Sequence, residues 1–190
     1  NTDSKALKLR FSDNDIFITN QPKNPALGKI YELSENVRCE MLGSNMLNGI
    51  KKNIENNYYQ KINNKKYKEI NNKKDINVLD AFELYIIEKF FKLNLNEISL
   101  KALSYWRKDF DKNFNNHLNY LVENFENQEN YNSKFSQLLE KMDIFENNQN
   151  QESNQSQDNQ NQSNDDTSRH EENNDKQDSQ DKESEDQLSV

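Results

Sequence analysis

Apolar residues and charges are unevenly distributed along this 190-residue chain, and the change at about residue 146 limits what can fold. Residues 147–190 contain 12 acidic and 3 basic residues and no aromatic residue, and their only large aliphatic side chains are Leu188 and Val190. Burying both would stabilise a fold by roughly 3–6 kcal/mol. Ordering the backbone costs about 1–2 kcal/mol for every residue. We therefore expect residues 147–190 to form a disordered acidic low-complexity linker.

Residues 1–146 are nearly neutral, with 21 acidic and 22 basic residues, so the net charge of −8 comes from the linker. This segment is long enough for one domain with a buried core. Five apolar stripes with spacings of three and four predict a mainly α domain of four to five helices. The stripes are Ile30, Leu33, Val37 and Met41; Leu47, Ile50, Ile54 and Tyr58; Val78, Phe82, Tyr85 and Leu93, with Lys89 in the same register and Ile86 and Phe90 widening the apolar face; Leu103, Trp106, Phe110, Phe114, Leu118 and Leu121; and Phe135, Leu138, Leu139 and Met142.

The fourth stripe is the longest, and we expect Leu103, Trp106, Phe110 and Phe114 to lie in the core. Asn24 followed by Pro25 predicts the start of the first helix. Residues 61–75 are rich in Lys and Asn and are interpreted as a loop or frayed helix.

The N-terminus has a different pattern. Leu7, Leu9 and Phe11 alternate with Lys8 and Arg10, and a polar segment then separates them from the apolar residues 16–18. A period of two on either side of a turn signal predicts a small N-terminal β-hairpin.

Residues that could carry catalysis or hold a cofactor are few. The three glycines form neither a Walker A loop nor a Gly-x-Gly-x-x-Gly loop. Cys39, His117 and His170 are too few and too far apart for a transition-metal site. Arg38 could lower the pKa of the neighbouring Cys39 thiol, but a lone cysteine on an amphipathic helix favours a packing role. The segment is therefore predicted to have no catalytic, cofactor-binding or metal-binding residues.

Nucleic-acid binding is an alternative function. Lysines between residues 51 and 74 are interleaved with Tyr58, Tyr59 and Tyr67, a combination that could contact phosphates and stack bases. Glu55 and Glu69 dilute this patch, and the acidic linker would repel a polyanion. A solvated surface is the favoured interpretation.

The segment 37–54, VRCEMLGSNMLNGIKKNI, is unusual for a helix because Gly43 and Gly49 lie among good helix formers. Such glycines allow a sharp bend or the close approach of another part of the protein. A helix–turn–helix corner inside the core and a contact site for another protein are both compatible with this pattern.

This segment resembles the CobT-type subunit of aerobic cobaltochelatase, which has the pattern Ala-Arg-Val-Glu-Ala-x-Gly-Ala-x-x-Met-x-Gly-Val-x-x-Asn-Leu. Leu47 stands where the family prefers methionine, and Cys39 stands at the small residue before the glutamate. The residues in register are Arg38, Glu40, Gly43, Gly49, Ile50, Asn53 and Ile54.

Further segments are similar to the same family in order and spacing. Residues 3–13 resemble its opening Ala-Leu-x-Leu-Arg-Tyr-His-Asp, with Ser12 in place of histidine. Residues 103–107 resemble its Leu-Trp-Arg segment, and residues 135–143 resemble the segment that closes its N-terminal domain. The family then has an acidic stretch and a von Willebrand A-type domain with an Asp-x-Ser-x-Ser motif. This motif is absent from the sequence, either because the chain is a fragment with further protein beyond Val190, as we expect, or because the domain has been lost.

No apolar run approaches the length of a membrane span and no signal peptide is recognised, so a cytoplasmic location is expected. The resemblance implies a subunit of a complex that inserts Co²⁺ into hydrogenobyrinic acid a,c-diamide during cobalamin synthesis. In that complex an AAA+ subunit hydrolyses ATP with magnesium, and a large subunit binds the corrinoid. The CobT-type subunit couples the two and is expected to self-associate. By this resemblance Arg38, Glu40, Gly43, Leu47, Gly49 and Asn53 form a subunit-contact motif. A scaffold that serves another ATPase is the remaining alternative.

Overall fold

The computed structural model describes residues 2–65 and 70–142, and every regular element in these ranges is helical. The α-helices are α1 (Thr2–Phe11), α2 (Asn14–Thr19), α3 (Pro25–Met46), α4 (Asn48–Asn64), α5 (Val78–Ile86), α6 (Glu97–Phe114), α7 (Leu118–Glu123) and α8 (Gln128–Glu140). The mainly α prediction is confirmed. The predicted linker, residues 147–190, lies outside the described residues.

The predicted N-terminal hairpin is wrong, because α1 and α2 occupy its place. Leu7 is buried and Phe11 is partly buried, whereas Leu9 is 88% exposed. The buried apolar residues therefore have the i, i+4 spacing of a short helix and not the i, i+2 spacing of a strand. The polar segment caps a helix, since the Asp13 side chain accepts hydrogen bonds from the backbone N–H groups of Asp15 and Ile16.

Helix α3 begins as predicted. The Asn24 side chain accepts a hydrogen bond from the N–H of Ala26, and Pro25 occupies the first helical turn, where its missing N–H costs nothing. With 22 residues, α3 is the longest helix among the described elements, and it packs against α1, α4, α5 and α8. It is the central support of the fold.

The helix count exceeds the predicted four to five because α1 and α2 replace the hairpin and the fourth stripe is divided. A 3₁₀ turn at Asn115–His117 ends α6 and leaves Leu118 and Leu121 on the separate helix α7. Asparagine has a low helix propensity, so the Asn115–Asn116 pair favours a break at this position.

The core is rich in aromatic side chains from α5, α6 and α8. Leu103, Phe110 and Phe114 are almost fully buried, and Trp106 is 8% exposed. The Phe82 ring meets the edge of Phe110 at a centroid distance of 5.2 Å. Such edge-to-face contacts add stability to that of the buried area.

The described residues of the segment predicted as a loop or frayed helix, 61–65 and 70–75, include regular structure. Helix α4 continues to Asn64, and a 3₁₀ turn covers Lys73–Asp75 with a capping box between Asn72 and Asp75. Lys73 Nζ lies 4.1 Å from the ring centroid of Trp106, which fixes this turn against α6.

Candidate contact site at the α3–α4 corner

The segment 37–54 covers the second half of α3, a one-residue break at Leu47, and the first part of α4. The structure separates its predicted contact residues into two groups. Arg38, Glu40 and Gly43 are buried inside the domain, whereas Leu47, Gly49 and Asn53 are exposed.

Arg38 forms a bidentate ion pair with Glu35 one turn earlier on α3. Its Nε lies 2.9 Å from Glu35 Oε2 and its Nη2 lies 2.7 Å from Glu35 Oε1. The two side chains are 1% and 0% exposed. Burial alone lowers the pKa of Arg38, but the hydrogen-bonded carboxylate of Glu35 outweighs this effect and the pKa is raised. The guanidinium is therefore a permanent buried cation.

The remaining guanidinium hydrogens join distant parts of the chain. Arg38 Nη2 donates to the carbonyl of Phe11 at 2.6 Å, and Nη1 donates to the carbonyl of Phe125 at 2.7 Å. Phe11 is the last residue of α1, so its carbonyl has no partner within its own helix. Arg38 thus fixes the end of α1 and the segment after α7 to α3.

Glu40 is 5% exposed, and hydroxyl groups from two other helices hold its carboxylate. Ser4 Oγ on α1 donates to Oε1, and Tyr58 Oη on α4 donates to Oε2. Burial and the neighbouring Glu40 charge raise the pKa of Tyr58 well above its ordinary value. Tyr58 therefore keeps its proton and remains a donor.

Gly43 lies directly beneath Leu7 of α1. A Cβ atom at this position would lie 2.3 Å from Leu7 Cδ2 and 2.7 Å from Leu7 Cδ1. Atoms without a bond between them do not approach so closely, so any larger residue here requires the Leu7 side chain to shift. The close approach that the sequence suggested for this glycine is the packing of α1.

Asn53 also contacts α1, because its Nδ2 donates a hydrogen bond to Asp3 Oδ2 of α1 at 3.0 Å. We call Arg38, Glu40, Gly43 and Asn53 the α1 clamp, since each of them contacts α1. This role was not predicted from the sequence. Residues 3–13 and 37–54 both resembled one family, but neither segment indicates that it contacts the other.

The other two members of the predicted motif make no such contact. Leu47 is 57% exposed, and a Cβ at Gly49 would meet no atom within 4 Å among the described residues. Neither residue is needed to hold α1.

Cys39 is fully buried on α3 beside the Glu35–Arg38 pair. Burial, followed by the negative charge of Glu35, raises the pKa of its thiol to about 12. The effect that Arg38 was expected to have on this pKa is present but smaller than either. Cys39 therefore lacks the thiolate character of a nucleophile.

Cys39 should react with Ellman's reagent at pH 8 at least about a hundred times more slowly in the folded protein than in urea, because it is buried and protonated. Absorbance at 412 nm follows the reaction, and the urea-unfolded chain is the control. Equal rates in the two states would contradict the burial of this thiol.

The basic residues that raised the possibility of nucleic-acid binding are largely paired with acids. Lys61 Nζ lies 2.9 Å from Glu83 Oε1, and Lys65 Nζ lies 3.0 Å from Glu83 Oε2. Lys73 pairs with Asp109. Lys66, Tyr67 and Lys68 lie outside the described residues. These ion pairs consume much of the charge that a phosphate backbone would need.

Within residues 2–65 and 70–142, no three His, Cys, Asp or Glu side chains are grouped so that they could hold a metal ion. No helix in the same ranges has the length and apolar character that a membrane crossing requires.

The family model described as "Cobalamin biosynthesis protein CobT" matches residues 1–189. No curated protein and no solved structure matches the chain.

Proposed function

Because the chain belongs to the CobT family of cobalamin biosynthesis proteins, we propose that it is the coupling subunit of cobaltochelatase. In this role it links an AAA+ ATPase subunit to the large corrinoid-binding subunit during insertion of cobalt into hydrogenobyrinic acid a,c-diamide. The match over residues 1–189 is the observation that carries the proposal.

The proposed role assigns the chemistry to the partners. Cobalt is a substrate, and ATP and magnesium belong to the ATPase subunit. The described residues of this chain do not fit a resident metal, since no three potential ligands are grouped together. What this chain contributes is binding and positioning of other proteins.

The architecture supports such a role. Helix α3 has 22 residues, which corresponds to a rigid rod of roughly 33 Å. It packs against α1, α5 and α8, and its C-terminal end presents the corner with α4 to solvent. A displacement applied at the corner would therefore reach the centre of the domain through one continuous helix.

Reconstitution tests this function. A protein that contains this chain should co-purify with the AAA+ subunit, and cobalt insertion by the three components together should need ATP. Leaving out this chain should abolish insertion while the AAA+ subunit still hydrolyses ATP. Insertion at full rate without it would contradict the coupling role. Binding to an AAA+ subunit with no effect on insertion would favour the scaffold for another ATPase.

A further inference from the structure

Five consecutive residues at the α3–α4 corner, 45–49, are all exposed, and we call them the outer corner. They include the large apolar side chains of Met46 and Leu47, which are 55% and 57% exposed. Single exposed apolar residues are common on soluble proteins. Two in succession at the end of the central helix form a small apolar patch, a feature typical of interaction surfaces.

Gly49 is a second, independent observation at the outer corner. It lies in the first turn of α4, where glycine is less favourable than alanine. None of the described glycines has a positive φ, and a Cβ at Gly49 would meet no atom within 4 Å. The fold of the domain therefore gives no reason for glycine here, in contrast with Gly43 under Leu7. The close approach of a chain from outside the domain would be a reason for glycine at this position.

The charge next to the outer corner indicates the chemistry of that chain. Lys51 and Lys52 follow Gly49 on α4 and are both exposed. Lys51 Nζ lies 3.9 Å from Glu55 Oε1, the outer limit of an ion pair on a solvated helix, so this pairing is weak. A partner with acidic side chains would complement this face.

We infer that the outer corner docks a segment of a partner protein that carries apolar side chains next to acidic ones, with its backbone passing over Gly49. This inference rests on the proposed function, under which the docked segment belongs to the AAA+ subunit. A second copy of this chain is disfavoured as the occupant. A two-fold contact between identical corners would place Lys51 and Lys52 of one copy near the same lysines of the other.

The test measures the affinity of the intact chain for the AAA+ subunit by isothermal titration. Leu47→Asp, Gly49→Gln and the double variant Lys51→Glu/Lys52→Glu should each weaken binding at least about tenfold. None of the three should lower the melting temperature, because the substituted side chains are exposed. Raising the salt concentration should weaken wild-type binding and leave the binding of the double variant less affected.

Ile98→Asp is the matched control, since Ile98 is a helical apolar residue with 54% exposure on α6. It should bind like the wild type. Tight binding by all three corner variants would overturn the inference while leaving the coupling role intact. Failure of the wild type to bind the AAA+ subunit would instead contradict the proposed function. If the wild type self-associates and Leu47→Asp is monomeric, the occupant is a second copy and the inferred partner is wrong.

Discussion

Replacing Arg38 with methionine should lower the free energy of unfolding by about 3–5 kcal/mol. The change leaves the carboxylate of Glu35 buried without its cation, since both side chains are at most 1% exposed. It also removes the donors to the carbonyls of Phe11 and Phe125. Urea denaturation followed by circular dichroism measures the loss.

Arg107 provides a matched control, because it forms a similar bidentate pair with Glu88 at 2.7 and 2.8 Å. That pair is about one-third exposed, so Arg107→Met should cost roughly 1 kcal/mol or less. The double variant Glu35→Leu/Arg38→Met should recover part of the stability, because it removes both buried charges. It should not recover all of it, because the two carbonyls still lack donors. Equal losses for Arg38→Met and Arg107→Met would contradict the description of the buried pair.

Gly43→Ala should lower the free energy of unfolding by about 1–3 kcal/mol, although alanine is the better helix former. The added Cβ would lie 2.3 Å from Leu7 Cδ2, so the Leu7 side chain must shift and its packing beneath α1 is disturbed. Leu7→Ala alone should cost about 2–5 kcal/mol through the cavity that it leaves. In the double variant the new methyl group enters that cavity, so the two losses should not add. A double-mutant cycle based on urea denaturation measures this coupling.

Gly49→Ala is the control for this cycle, because it places the same methyl group on a helix in open space. It should leave the stability unchanged or raise it by up to about 1 kcal/mol. A Gly43→Ala variant as stable as Gly49→Ala would show that Leu7 does not need the space above Gly43.

Regular apolar periodicity made much of this fold predictable. The stripes on α3, α4, α5, α6 and α8 are long enough to distinguish a helical period from an alternating one. The start of α3 carries its own signal in Asn24 and Pro25. Residues 7–11 are too few for this distinction, because Leu7, Leu9 and Phe11 fit one face of a strand while Leu7 and Phe11 alone fit one side of a short helix.

The interior of the candidate site could not be predicted in the same way. On a helix, Glu35 and Arg38 have the spacing of an ordinary surface ion pair, and only the packing of α1 and of the segment after α7 over them makes the pair buried. The backbone carbonyls that bind Arg38 belong to residues 27 and 87 positions away. The partners of Glu40 are 18 and 36 residues away, and the partner of Asn53 is 50 residues away. Contacts over such separations follow from the tertiary arrangement, which single-sequence periodicity does not encode.

The division of the motif into a clamp and an outer corner is tested most directly by hydrogen exchange of the α1 backbone amides, residues 2–11. We expect Gly43→Ala and Asn53→Ala to speed exchange in α1 more than in α8, and Gly49→Ala to leave α1 unchanged. Wild-type exchange rates in α1 for both clamp variants, or equal acceleration by Gly49→Ala, would contradict the assignment of these residues to the binding of α1.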